Sequence, residues 1–531
     1  MGKQKRVVII GAGINGLVCA CYLARAGYKV AVLEKRKIVG GCCVTDEETF
    51  PGFKVSSAAY ANSLFLNQIV EELGLRRLGY EVLTRDPSSF TPLPDGRFLF
   101  LGKDRDMNTQ EIAKFSTRDS ENYHQYENAL DKIARFVEHT TTITPPHIPP
   151  RTLSDIATLA RLSAKLGALG PAAGIRLAKL MTQNAVKFLD SWFESDTLKA
   201  TLLTDAVIGA APGNFSSYIL LHHVMGEAGG ARGVWGYQKG GMGGISQALA
   251  KAAAELGVHI ETGAAVKEIL LNNRGATGVA LEDGEKIPAD CVVSNADPYV
   301  TFLKLLPRNL PWLEKFTRKV KKMDFSSASM KVNLVLSGLP SFRCCPGTKA
   351  GPQHRGTIHI SPSVEYIVET SNDGARGVPS RKPMIEITIP SAVDPTLAPN
   401  GCHVMNIFVQ YTPYALSHEK WTEETKNDYF KNHILGVMRN FIENIDNIIL
   451  GRQIISPADL ENDFSLTGGN IFHGAMNMGQ LFHLRPVRGF ANYRTPIQGL
   501  YLCGAGTHPG GGVIGANGLN ASKEIINQHA L

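Results

Sequence analysis

The chain has 531 residues, more than one typical hydrophobic core, so two domains are expected. With 44% hydrophobic and 19% charged residues it has the composition of a soluble globular enzyme, not of a disordered or fibrous chain. The net charge of +7 is small for this length, and its Lys and Arg are dispersed, which argues against nucleic-acid binding.

Arg6-Val7-Val8-Ile9-Ile10 is a short β-branched run that predicts a buried parallel strand. It leads into Gly11-Ala12-Gly13-Ile14-Asn15-Gly16, a G-x-G-x-x-G motif. Leu17, Ala20, Leu23 and Ala24 then recur at helical spacing until Gly27 closes the helix. A second strand over residues 29–33 ends on Glu34. Strand, motif, helix, strand and acid in this register predict a dinucleotide-binding unit. Gly11 permits the turn, Gly13 admits the pyrophosphate, Gly16 lets the helix pack on the strand, and Glu34 takes ribose hydroxyls. The helix start would hold the phosphate. Gly40-Gly41, just past the acid, resemble the extended fingerprint of FAD enzymes of the glutathione-reductase and amine-oxidase group. That resemblance implies FAD, with Arg36, Gly40 and Gly41 among the residues around it.

A helix is predicted over 64–73 with Gly74 as its cap, and a β-hairpin over 89–100 about Pro94-Asp95-Gly96. Tyr123, Tyr126, Leu130, Ile133 and Val137 share one face of a predicted helix over 119–138. The proline-rich stretch 144–150 reads as a stiff spacer between subdomains. Residues 152–200 are rich in Ala and Leu, with Arg161, Lys165, Arg176, Lys179 and Lys187 interleaved. This basic amphipathic region suits a solvated helical face, an anionic membrane surface or a cover over a substrate entrance.

The glycine-rich stretch 233–244, with Trp235 and Tyr237, reads as a loop opening a helix over 245–256. Strands follow at 258–261, 265–269, 278–284 and 289–296, with a hairpin at Asn272-Asn273-Arg274-Gly275. This order resembles the middle of FAD amine oxidases and carotenoid desaturases, which implies that the backbone at Val266 contacts the adenine. Residues 300–450 read as a second α/β unit, with strands at 331–336, 384–389 and 404–411 and a long helix over 423–445. Val332, Leu334 and Leu336 alternate with other residues, as do Ile385, Ile387 and Ile389. One apolar sheet face is therefore expected, either roofing a greasy cavity or packing on helices. A strand over 499–503 enters the run Gly504 to Gly515, and a last helix continues from Ala516 to His529. Gly504, Gly506, Gly512 and Val513 are candidate cofactor contacts there, and the helix start is suited to stabilising negative charge on a reduced flavin.

The nine cysteines form no C-x-x-C, no C-x₄-C and no zinc spacing, so free, mostly buried thiols in a reducing compartment are expected, and no metal site. Apart from the opening motif there is no second strand-G-x-G-x-x-G-helix for a nicotinamide cofactor. No apolar run approaches the roughly twenty residues of a membrane span. The myristoylation pattern fails at Arg6, and the early glycine motif argues against a cleavable presequence.

The chain as a whole resembles the phytoene-desaturase-like flavoprotein family of carotenoid and retinoid oxidoreductases. The resemblance rests on Ser191-Trp192-Phe193-Glu194-Ser195, Thr204-Asp205-Ala206-Val207-Ile208-Gly209, Leu221-His222-His223-Val224-Met225-Gly226, Gly468-Gly469-Asn470-Ile471-Phe472-His473 and the run from Tyr501 to Gly515. Several residues of the region 391–403 also carry it, from Ser391-Ala392-Val393-Asp394 to Gly401-Cys402-His403. The fold expected is α/β: a Rossmann-like FAD-binding domain of the glutathione-reductase/amine-oxidase type (residues 1–83, 233–300 and 455–531). A mixed α/β substrate domain (84–232 and 301–454) is inserted into it. The function expected is FAD-dependent removal of hydride from an apolar, polyene- or isoprenoid-like substrate, with electrons passed to oxygen, a quinone or a protein acceptor. The alternatives are an amine oxidase, or a membrane-associated regulatory flavoprotein with little turnover. His508, inside the C-terminal glycine loop, is the first candidate catalytic residue; His473, Lys331, Trp235 and Tyr237 are further candidates near the flavin. The cytoplasm is the direct reading of location, and the family resemblance points to the mitochondrial matrix.

Overall fold

The computed structural model describes residues 4–213, 215–228, 231–273 and 275–528. Arg274 of the expected hairpin, His529 of the expected last helix and residues 1–3 lie outside them. A five-stranded parallel sheet runs in the order His259–Thr262, Lys29–Glu34, Arg6–Ile10, Cys291–Ser294, Leu500–Leu502. Its central strand is covered on both sides: Val7, Val8 and Ile9 are all buried. Helices Ile14–Arg25, Gly243–Glu255 and Ala516–Gln528 share one core against one face. A small antiparallel sheet of Val266–Asn272, Gly275–Leu281 and Lys286–Pro288 covers the other, together with Phe302, Phe316 and Val320.

A seven-stranded mixed sheet has the order Ile449–Ile455, Ser329–Leu336, His403–Gln410, Met384–Thr388, Thr357–Ile360, Ser89–Pro92, Phe98–Leu101. The last two strands are the predicted hairpin, and one pairing, Thr357–Ile360 with Ser89–Pro92, is parallel. The alternation seen in the sequence is real, but the apolar face does not roof a cavity. Val332, Leu334, Ile358, Ile385, Ile387 and Ile407 are buried against Phe430, Ile434, Met438 and Ile442. The opposite face looks inward, and it carries the polar partners of the alternation.

Two expected elements are corrected. The helix over 423–445 is shorter and interrupted: Glu423–Tyr429, a wider turn over Phe430–Ile434, then Leu435–Met438. The wider turn lets Phe430, Ile434, Leu435 and Met438 all reach the sheet, and i→i+3 bonds from Asn440 and Phe441 close the end. Within the expected loop 233–244, Gly236–Gln238 is a strand antiparallel to Val82–Thr84. A Cβ on Gly236 would lie 2.7 Å from the Leu83 carbonyl oxygen, so only glycine lets the two backbones meet this closely.

Above the second sheet stands a helical layer. Ser116 caps helix Thr117–Thr141, whose buried stripe includes Tyr123, Tyr126, Leu130, Ile133 and Val137 as the spacing predicts. Helix Leu153–Ala168 is held by a Thr152–Asp155 capping box, yet of its sixteen residues Asp155 alone is buried. Leu153, Ile156, Leu166 and, on the next helix Pro171–Thr182, Ile175 are exposed, beside the exposed Arg161, Lys165, Arg176 and Lys179.

Candidate functional site

A cavity of about 610 Å³ extends from the carboxyl ends of the first sheet to the inward face of the second. At its first end the glycine motif does what the sequence predicts. Gly11 turns with φ of 93° and its N–H donates to the Leu33 carbonyl at 2.7 Å. A Cβ on Gly13 would stand 2.7 Å from Asn295 Nδ2 at the cavity wall, while one on Gly16 would stand 2.3 Å from the Gly11 carbonyl oxygen. Gly13 therefore keeps the approach open, and Gly16 serves packing without lining the cavity. Helix Ile14–Arg25 begins with no side-chain cap and no acid in its first turn, which leaves its N–H groups to an anion.

Glu34, buried at the end of its strand, accepts the N–H of Ala12 at 2.8 Å and of Arg36 at 2.9 Å. Arg36 Nη1 in turn donates to the Gly41 carbonyl at 2.9 Å, with its guanidinium 4.8 Å above the Phe464 ring. Gly40 has φ of 122°, and a Cβ there would collide with the Cys43 carbonyl at 2.4 Å. Val266, at the start of its strand, shares this rim with Glu282.

The C-terminal loop meets the cavity through Gly511, Gly512 and Val513. Gly512 has φ of 124°, and a Cβ on it would lie 2.8 Å from His222 Nε2. Gly504 and Gly506 are packing positions instead: a Cβ would stand 2.4 Å from the Asn295 carbonyl oxygen and 2.4 Å from Pro298 Cδ. His508 does not line the cavity. Its ring is turned away, with Nε2 at 2.9 Å from the Thr140 carbonyl and the ring face 5.5 Å from Phe482. The loop is pinned from behind by Arg485, fully buried, whose guanidinium donates to the carbonyls of Phe472, Gly474, Ala475, Gln480, Ala505 and Thr507. Burial brings that guanidinium down to about 10.

This cradle fits FAD on its own geometry. An uncapped helix start and a path kept clear by Gly13 and Gly41 suit the pyrophosphate, and Glu34 stands beside them. The bare backbone of Gly512 suits the ring end. Cys42 and Cys43 stand by the cradle with thiols pushed up to about 12 by burial, so neither is poised as a thiolate. Among the described residues no group of three or more His, Cys, Asp or Glu is placed to hold a metal ion.

The second end is made of side chains. Register pairs Lys331 with Phe408, Phe408 with Glu386 and Glu386 with His359, so one row across four strands points all four into the cavity. His359 Nδ1 is 3.2 Å from Glu386 Oε1, and Tyr60 donates to Glu386 Oε2 at 3.1 Å. Burial works against the Glu386 charge, but His359, the charge of His223 and the Tyr60 hydroxyl together hold its carboxyl below the usual range. Lys331 donates to the Asn406 side chain at 2.9 Å, the Ser56 carbonyl at 3.3 Å and Asn333, and burial lowers its ammonium strongly, toward the neutral amine. Asp205 faces the same space, with no side-chain hydrogen-bond partner among the described residues, and burial followed by nearby Glu386 raises its carboxyl. Of the other candidates, His473 and Trp235 line the cavity, His473 held neutral by burial at about 4. Tyr237 lies outside, donating to the Arg355 carbonyl at 3.4 Å.

Sequence reasoning missed Tyr60, Arg85, Asp205, His359, Glu386 and Phe408. The signal for three of them was present. Glu386, His359 and Phe408 occupy the off-phase positions of strands whose in-phase residues are apolar.

The family described as flavin containing amine oxidoreductase matches residues 14–338. A mouse protein (Mus musculus) called pyridine nucleotide-disulfide oxidoreductase domain-containing protein 2 is 42% identical, covering 98% of this chain and 93% of its own. A lycopene-forming phytoene desaturase of Pseudescherichia vulneris is 25% identical over 96% of each chain. The solved structure of cyclohexylamine oxidase from Brevibacterium oxydans IH-35A superposes with a TM-score of 0.59 over 99% of this chain and 100% of that one, at 17% identity, a likeness of fold.

Proposed function

The chain belongs to the family of flavin-containing amine oxidoreductases and is an FAD-dependent oxidoreductase, and from that premise we propose that it removes hydride from an apolar, polyene- or isoprenoid-like substrate. The observation that carries this reading is the wall between the two ends of the cavity: Leu64, Leu101, Tyr123, Leu202, Ile208 and Phe472. Such a wall excludes water and holds a greasy body in one orientation. The flavin, when bound, takes the hydride. The protein then has to position the substrate and hold the cofactor's ring end, the latter falling to Gly512 and Val513. Electrons pass on to oxygen, a quinone or a protein acceptor. A nicotinamide role is disfavoured by the lack of a second glycine fingerprint, and thiol chemistry by the protonated Cys42 and Cys43.

Anaerobic titration of the purified yellow protein tests this. Isoprenoid polyenes are expected to bleach the flavin, and bleaching by amines alone would overturn the reading. Rapid reduction by NADPH would argue against the proposed electron path. An amine oxidase is the second reading, favoured by the match of residues 14–338 to the family described as flavin containing amine oxidoreductase.

For contact with a membrane surface, the support is helix Leu153–Ala168 with its exposed Leu153 and Ile156 among exposed basic residues. Among the described residues no helix is long and apolar enough to cross a membrane. We propose the cytoplasm as its location, or by family resemblance the mitochondrial matrix, which cell fractionation tests.

A further inference from the structure

Arg85 follows the strand Val82–Thr84, is 4% exposed and lines the cavity. Its Nε donates to the Trp235 carbonyl at 3.2 Å, Nη1 donates to Thr357 Oγ1, and the guanidinium lies 5.5 Å from the Tyr237 ring centroid. These contacts fix the plane of the fork, and among the described residues no hydrogen bond ties down Nη2, with the Tyr237 hydroxyl close beside the guanidinium. Among the described residues no carboxylate approaches this guanidinium within 4.0 Å, whereas a buried cation ordinarily has a counter-charge.

Two carboxyl groups share the space. Both oxygens of Glu386 are already engaged, one by His359 and one by Tyr60. Among the described residues Asp205 has no side-chain hydrogen bond, and its carboxyl is pushed toward the protonated form by burial, so it offers a donor and not a second repelling charge. Lys331 is committed to Ser56, Asn333 and Asn406.

We propose that the cavity takes a substrate with a carboxylate group, which Arg85 binds through its open nitrogen while the apolar remainder lies along Leu101, Tyr123 and Leu202. This deepens the oxidoreductase reading and rests on it. A carboxylate fits better than a phosphate. One cation with one open nitrogen, in a cavity that Glu386 also lines, suits a monoanion and would leave a dianion undercompensated.

The test titrates the holoenzyme with decanoate, decanol and decylamine, following the flavin absorption band and the tryptophan fluorescence, since Trp235 holds the Arg85 side chain. Decanoate is expected to bind best. Arg85→Gln is expected to weaken it on the order of tenfold to a hundredfold, leaving decanol unchanged, and Arg85→Lys to recover part of the loss. The selectivity of the unaltered protein decides the matter even where Arg85→Gln fails to fold. Decanol or decylamine binding as tightly as decanoate overturns the proposal, as does full decanoate affinity in a folded Arg85→Gln protein. A protein that holds no flavin sinks the oxidoreductase reading instead, and the fluorescence titration still decides whether a carboxylate binds.

Discussion

The two ends of the cavity are built from different material. The cofactor end is largely backbone: N–H groups of a helix start, and glycines whose missing Cβ atoms leave room. The substrate end is side chains in a row, Lys331, Phe408, Glu386 and His359, brought together by strand register. A backbone site tolerates most changes except those that add a Cβ, and a side-chain site is retuned by single substitutions. The first suits a cofactor shared across a family, the second a substrate that differs from member to member.

The sharpest break is Gly13→Val. Its added carbons enter the space 2.7 Å from Asn295 Nδ2, so the purified protein is expected to be colourless, with FAD affinity lowered at least about a hundredfold. Retention of flavin in that variant would show that backbone clearance is not what admits the cofactor.

Arg485→Met comes next. It strips the C-terminal loop of its buried donors, and urea unfolding is expected to show a loss of about 3–5 kcal/mol. A loss under about 1 kcal/mol would mean that the carbonyls find other partners.

The ends also differ in their response to acid. His222 and His473 are held neutral by burial, at about 3 and about 4. Below the ordinary value of 6.5 the unfolded chain gains protons there that the folded chain refuses, so stability falls as pH drops. Each contributes a slope of about 1.4 kcal/mol per pH unit between pH 6.5 and its folded value, and His473→Gln is expected to remove one such share. Glu386 adds a later loss. Its folded value lies below 4.5, so its contribution is complete above 4.5 and disappears as pH falls through the folded value. Glu386→Gln should remove that last step and keep the flavin. Loss of the flavin there would erase the distinction between the two ends.

The smallest effect belongs to the helical layer. Ile156→Glu on the exposed face of Leu153–Ala168 should change stability by less than about 0.5 kcal/mol while abolishing co-sedimentation with anionic liposomes. Unchanged co-sedimentation would remove that helix from any membrane contact.

How much was legible in the sequence follows the same division. The phosphate end of the cradle could be read because its parts lie within the first forty-one residues, and the ring end because Gly512 sits in a second glycine-dense loop. The second sheet was legible as alternation, but alternation does not say which face turns toward a cavity. Phe430 and Ile434, far along the chain, claimed the apolar face and turned Glu386 and His359 inward. Arg85 and Asp205 carry no periodic signal at all, since one follows a short strand and the other sits on the helix Asp196–Val207. His508 misled for a related reason: a loop that touches the cavity does so with some of its residues and braces itself with the others.

The reach of Arg485 has one more consequence. A single side chain answers to oxygens spread from residue 472 to residue 507, so the spacing between them is fixed as firmly as their chemistry. Adding or deleting one residue in that span would carry some carbonyls out of range, whatever the residue. The stretch behaves like a knot tied at its middle: free to change its outward side chains, closed to any change in length.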